Sequence, residues 1–150
     1  KLLFVVLLCG AVLIALPASA EEDEGVVGSV KTLEGDVTIV RADEEITPEL
    51  GTRIYAQDVV LTGADSSLGI ILRDDTSVSL GSDSELKMKE FEFEPSESSF
   101  SMVLNMVKGT FVYVSGKMAK LAPESVKVET PVGVVAVRGT KFLAEIPAED

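Results

Sequence analysis

The 150-residue chain carries 25 acidic against 13 basic residues, a formal net charge of −12, with no histidine, no tryptophan and one cysteine. Imidazole acid–base chemistry and the usual zinc sites are excluded by that composition. So negative a chain repels phosphate backbones and anionic lipid surfaces, which makes nucleic acid an unexpected partner.

Residues 1–20, KLLFVVLLCGAVLIALPASA, combine one basic residue, a long apolar stretch and Ala18-Ser19-Ala20. These are the three regions of a secretory signal peptide, cleaved after Ala20. A membrane-spanning helix competes, but a span needs about 20 apolar residues, and Pro17 and the acidic run EEDE at 21–24 fit a cleaved leader better. Lipoprotein processing at Cys9 is a weaker alternative, because Leu8 stands where a small residue is expected. Cleavage removes Lys1 and Cys9, leaving 12 basic against 25 acidic residues, a net charge of −13, and no thiol for a disulfide or thiolate metal site. The mature protein then has no stable membrane span, and its expected location is periplasmic or secreted. Residues 21–27 read as an acidic linker, 28–146 as one domain and 147–150 as a tail.

Within the domain the dominant signal is period two. Gly35 sits between SVKTL and DVTIV, and Gly51, Gly63, Gly81, Gly109, Gly116 and Gly133 recur between apolar runs as turn positions. Leu68, Ile70 and Leu72 alternate with Gly69, Ile71 and Arg73; Asp74-Asp75 makes a tight turn, and Val78 and Leu80 resume the alternation. This predicts a β-hairpin with one buried face. Leu86 and Met88 continue the theme, but Phe91 and Phe93 fall on the opposite parity, which predicts a bulge or break near Lys89–Glu90. Pro95–Ser99 reads as a loop. FSMVLNMVKG, 100–109, is compatible with a short helix, but its valines and the following TFVYV favour a strand. The fold class is therefore all-β, with many short strands in a double-layered sandwich or solenoid-like stack. No repeat of fixed length supports a regular solenoid.

Two blocks carry a family resemblance. LGTRIYAQDVVLTGADSSLGIILRDDTSVSLGSDSEL, 50–86, resembles the central block of the FecR domain family, with its Gly-led strand, its Asp before paired apolar residues and its Thr-Gly turn. The second block runs from Thr130-Pro131 and Gly133 into Val137-Arg138-Gly139-Thr140 and Phe142, and KGTFVYV, 108–114, resembles the strand between them. The resemblance spans about Gly28 to Ile146. It marks Gly51, Asp58, Thr62, Gly63, Asp74, Asp75, Gly109, Thr130, Pro131, Gly133, Arg138, Gly139 and Thr140 as signature residues, read here as structural. It implies an all-β extracytoplasmic module that works by contact with other envelope proteins. In the namesake regulators that module belongs to a membrane-spanning sensor serving a cytoplasmic sigma factor. The chain reads as departing from them in three ways: no cytoplasmic segment is expected before its apolar stretch, no spanning helix is expected to be retained, and no small signalling domain is expected after residue 146. The family's Asp-Gly turn is Asp74-Asp75 here, and the strand after Arg-Gly-Thr reads as short or absent, as at a truncated end. The sigma-factor role is not carried over.

Arg138 shares parity with Val134 and Ala136 in the apolar run that begins at Val132. If both faces of that run are covered, its guanidinium must reach the sheet edge or pair with a carboxylate, and a structural ion pair outweighs an anion site. Asp58, Asp65, Asp74, Asp75 and Asp83 recur near turns, as calcium loops do. None has EF-hand spacing, and a turn aspartate satisfies local backbone donors unaided. Ser66, Ser67 and Ser79 lack a histidine base and a nucleophile motif, and Tyr55 and Tyr113 do not mark a sugar cleft. The reading is thus a non-catalytic binding or signalling module without cofactor or metal, whose partner is an envelope protein with a basic surface. A structural envelope or surface-layer component is the alternative, and a carboxylate-dependent hydrolase the weaker one.

Overall fold

The computed structural model describes residues 25–137 and 141–149. The expected leader at 1–20, residues 21–24 and the Arg138-Gly139-Thr140 block lie outside them. The described residues form strands β1 (Val26–Glu34), β2 (Val37–Arg41), β3 (Glu44–Ile46), β4 (Arg53–Tyr55), β5 (Val59–Thr62) and β6 (Ser67–Leu72). These are followed by β7 (Ser77–Leu80), β8 (Glu85–Glu94), β9 (Ser99–Val114), β10 (Val126–Thr130), β11 (Gly133–Ala136) and β12 (Lys141–Ile146). One short helix, α1 (Lys117–Leu121), bridges β9 to β10. The first strand starts at Val26, with Val27 buried, so the last two residues of the span 21–27 expected as linker belong to β1. The strand expected to be short or absent after residue 140 is present: β12 has six residues, and its Phe142 stacks on Tyr113 at 4.9 Å.

The alternation read from the sequence produces these strands. Leu68, Ile70, Leu72, Val78 and Leu80 are each no more than 2% exposed, and β6 pairs with β7 in the register Leu68 to Leu80 and Ile70 to Val78. The face change after Met88 is a bulge, seen as a register shift between Met88 and Glu90 against β9. Residues 100–109 lie within β9, a strand of 16 residues, as their valines favoured.

The strand order is β3-β2-β5-β8-β9-β7-β6-β1-β4, with β10 and β12 also on β9 and β11 on β10. Pairing is antiparallel except between β9 and β10. The result is a curled sheet whose two halves share β9 and enclose one apolar cluster, including Ile39, Val60 and Leu104 from one half and Ile70, Val78 and Tyr113 from the other.

Four of the places where the chain passes between the halves are corners at Gly35-Asp36, Gly63–Ser66, Gly81–Ser84 and Gly109 within β9. A strand that changes sheet loses ladder partners, and buried backbone groups must find others. Hydroxyls supply them here. Asp36 N–H donates to Ser66 Oγ at 2.8 Å, Ser84 N–H to Thr62 Oγ1 at 2.9 Å and Thr110 N–H to Ser84 Oγ at 3.1 Å. Thr62 Oγ1 in turn donates to the Gly81 carbonyl at 2.6 Å. The corners are thereby stitched into one seam.

Two of the turn aspartates are not solvated. Asp58 is fully buried, paired bidentately with Arg41 at 2.9 and 2.7 Å, and accepts the Tyr55 N–H at 2.9 Å. The hydrogen bond from Asp58 raises the Arg41 pKa against the cost of burial, and the guanidinium also lies 4.4 Å from the Tyr55 ring centroid. Asp74 is equally buried: its carboxylate accepts from Thr76 N–H, Thr76 Oγ1 and, 44 residues on, Met118 N–H. Its carbonyl accepts Lys117 N–H at 2.7 Å, so this turn anchors α1, whose Met118 is buried in the core. Asp65, Asp75 and Asp83 behave as ordinary turn residues, exposed and at φ of 51°, 67° and 51°.

Tyr113 is fully buried, and its hydroxyl makes no hydrogen bond among the described residues. The Thr76 hydroxyl, which acts on the phenol, donates its proton to Asp74. Burial pushes the Tyr113 phenol up to about 12, with Thr76 acting against the shift and the Asp74 charge adding to it. The folded state thus favours the protonated phenol, a contribution that is complete below pH 10 and lost as pH rises from about 10 to about 12. Tyr113→Phe is expected to melt at or above the wild-type temperature at pH 7, because an unmade buried hydrogen bond costs about 1–3 kcal/mol. It should also lose less stability between pH 10 and 12. A lower Tm at pH 7 would show that the hydroxyl has a buried partner.

Candidate interaction surface

The signature residues do not converge on one site. Thr62, Gly63 and Gly109 lie on the corner seam, Asp74 and Asp75 hold α1, and Asp58 holds Arg41. Gly51 sits in an open turn at φ 86° with nothing near its Cα hydrogen. Arg138, Gly139 and Thr140 fall outside the described residues, so the ion pair expected of Arg138 does too. Among the described residues no three His, Cys, Asp or Glu side chains are grouped as a metal site would need.

Thr130, Pro131 and Gly133 do meet, at the tip of the β10–β11 hairpin, where Thr130 Oγ1 donates to the Gly133 carbonyl at 3.0 Å. The covering considered for this apolar run is absent over most of it. Val132 is 98% exposed, Val134 64% and Val135 47%; only Val137 is buried. The physical reason is position: β11 pairs with β10 alone among the described residues, so nothing lies beyond it. A groove of about 440 Å³ runs beside the hairpin between Asn105 and Val107 of β9, Glu129 of β10, and Pro131 and Val134. Glu129 is neutralised there by Lys89, Nζ to Oε2 2.8 Å. From Thr130 to Val137 the chain has no charged residue. Charge-free runs of the same length, 100–107 and 109–116, fall largely in β9, so the absence of charge alone does not mark this surface. Valines 132, 134 and 135 are the candidates at this surface that the sequence reading did not single out.

The family profile described as FecR protein matches residues 58–150, which contain the first block from Asp58 onward, the whole second block and the hairpin. The chain belongs to the FecR family. FecR is a non-enzymatic signalling family, and its members are envelope-associated. No curated protein matches the chain. A solved structure described as a cell surface anchoring domain is similar at 34% identity over 43% of this chain and 86% of that one. Its TM-score of 0.41 is too low to equate the two folds. No helix among the described residues is long and apolar enough to cross a membrane.

Proposed function

We propose that this FecR-family chain is a non-catalytic binding and signalling module, exported behind the leader at 1–20, that acts by contact with another envelope protein. The observation that carries this reading is the β10–β11 hairpin: an exposed, uncharged strand at a sheet edge, beside an open groove. Large exposed apolar patches rimmed by polar residues mark interaction sites. The net charge of −12 favours a partner presenting lysine and arginine.

The test is retention of a partner from envelope extracts on the immobilised protein. One specific protein should be recovered, and chelator should leave the complex intact. Raising ionic strength from about 0.05 to 0.5 M shortens the screening length about threefold and should slow association. Salt-independent association would remove the electrostatic part of the reading. The same unpaired edge also suits a structural envelope component, since such edges template assembly. Polymerisation of the purified protein, with no partner recovered, would establish that reading instead.

A further inference from the structure

Among the described residues the curled sheet has four open edges: β3, β4, β11 and β12. Natural sheets blunt such edges with charge or brevity, because an unpaired row of N–H and C=O groups templates pairing. Three edges follow that rule. β3 is three residues long and carries Glu44 and Glu45; β4 is three residues long and carries Arg53; β12 exposes Lys141 and Glu145. β11 does not. It reads Gly-Val-Val-Ala within eight uncharged residues, and all four of its residues are exposed.

We propose that β11 is a strand-addition site, taking an extended, uncharged, β-branched strand from a partner protein that is basic outside that strand. The proposal rests on the protein-contact reading above and adds to it the mode of contact and the chemistry of the occupant. The added strand extends the sheet by main-chain hydrogen bonds, and alternate side chains set its preference. Val134 lies beside Glu129 in register, and Val135 beside the buried Val128. An incoming strand therefore meets one valine on each face and no fixed charge at the edge. Charge chooses between the two available occupants. A second copy would bring another body of net charge −12 alongside the first, whereas a basic partner is drawn to it.

The probe is a synthetic peptide of alternating valine and threonine with lysines at both ends, titrated against the exported chain. Amide hydrogen exchange should slow by about tenfold or more at saturation at the β11 amides that point away from β10, which alternate along the strand with those already bonded to it, as exchange does for backbone groups drawn into a ladder. Val134→Lys and Val134→Glu should each weaken the peptide by about tenfold or more, since a charge of either sign blunts an edge. Val132→Lys, in the turn, should bind within about twofold of wild type. Both positions are exposed, so the three variants should melt with wild type. The proposal is overturned if no β11 amide is protected, if protection appears at β3, β4 or β12 instead, or if Val134→Glu binds as well as wild type. A wild-type dimer in sedimentation that protects β11 without peptide overturns the basic partner in favour of a second copy. If wild type and Val134→Lys recover the same partner from extracts, strand addition fails while the protein-contact reading stands. If wild type recovers none, that reading itself fails.

Discussion

Leu72→Asp unfolds the protein, whereas Ser77→Asp, five residues away in the same hairpin, leaves the melting temperature nearly unchanged. Leu72 is 2% exposed at the end of β6 and belongs to the single apolar cluster. Its Cα lies opposite Gly28 of β1, which leaves no room for a hydrated carboxylate to turn outward. An unpaired charge there costs several kcal/mol or more, against a total stability of about 5–15 kcal/mol. Ser77 pairs with Ile71 and Val114 on the outer face and is only partly covered, so a charge there stays in water. Circular dichroism melts of the two variants decide the matter. Equal stability would mean that the two faces of this hairpin are wrongly assigned.

Gly109→Ala is expected to cost far more than Gly51→Ala, although both glycines have positive φ, 104° and 86°. Each alanine takes on the strain of an unfavourable backbone conformation, roughly 1–3 kcal/mol. At Gly51 nothing lies within 4 Å of the added methyl, so the cost ends there. At Gly109 the methyl meets Ser84, including its main-chain Cα, at the corner where β9 crosses between the halves. Relief requires moving a strand, and overpacking of this kind adds about 1–3 kcal/mol. The Ser84 hydroxyl that accepts the Thr110 N–H would be displaced as well. Denaturant midpoints should therefore fall sharply for Gly109→Ala and modestly for Gly51→Ala. Equal shifts would show that the corner can give way.

What could be read in advance was local. The β6–β7 hairpin, the bulge after Met88 and the strand through 100–109 all follow from the alternation of neighbouring side chains, which is a short-range property. The corners are not local. Thr62, Ser66 and Ser84 look like ordinary strand-end hydroxyls until the fold brings Asp36, Gly81 and Thr110 to them. Asp58 and Asp74 stand beside turns, as their sequence neighbours suggest, but their burial is not legible there because their partners, Arg41 and the Met118 amide, lie 17 and 44 residues away. The hairpin failed in the opposite way. Val132, Val134 and Val135 have the composition of a buried strand, and parity cannot reveal that, among the described residues, β11 pairs with β10 alone.

The sharing of β9 between the two halves has a consequence for how the molecule is made. Four strands, β7, β8, β10 and β12, hydrogen-bond to it, two of them preceding it in the chain and two following. Before residues 99–114 dock, β1 to β8 can form only two open ribbons, joined at the corners and each ending in an unpaired strand, β7 in one and β8 in the other. Pairings this distant in sequence place folding on the order of milliseconds to seconds rather than microseconds. During that interval the bare edges and the apolar side chains of the future core are open to any neighbouring chain. Arrival of β9 ends the interval, so the rate at which this one strand docks sets how much of the newly made protein escapes aggregation.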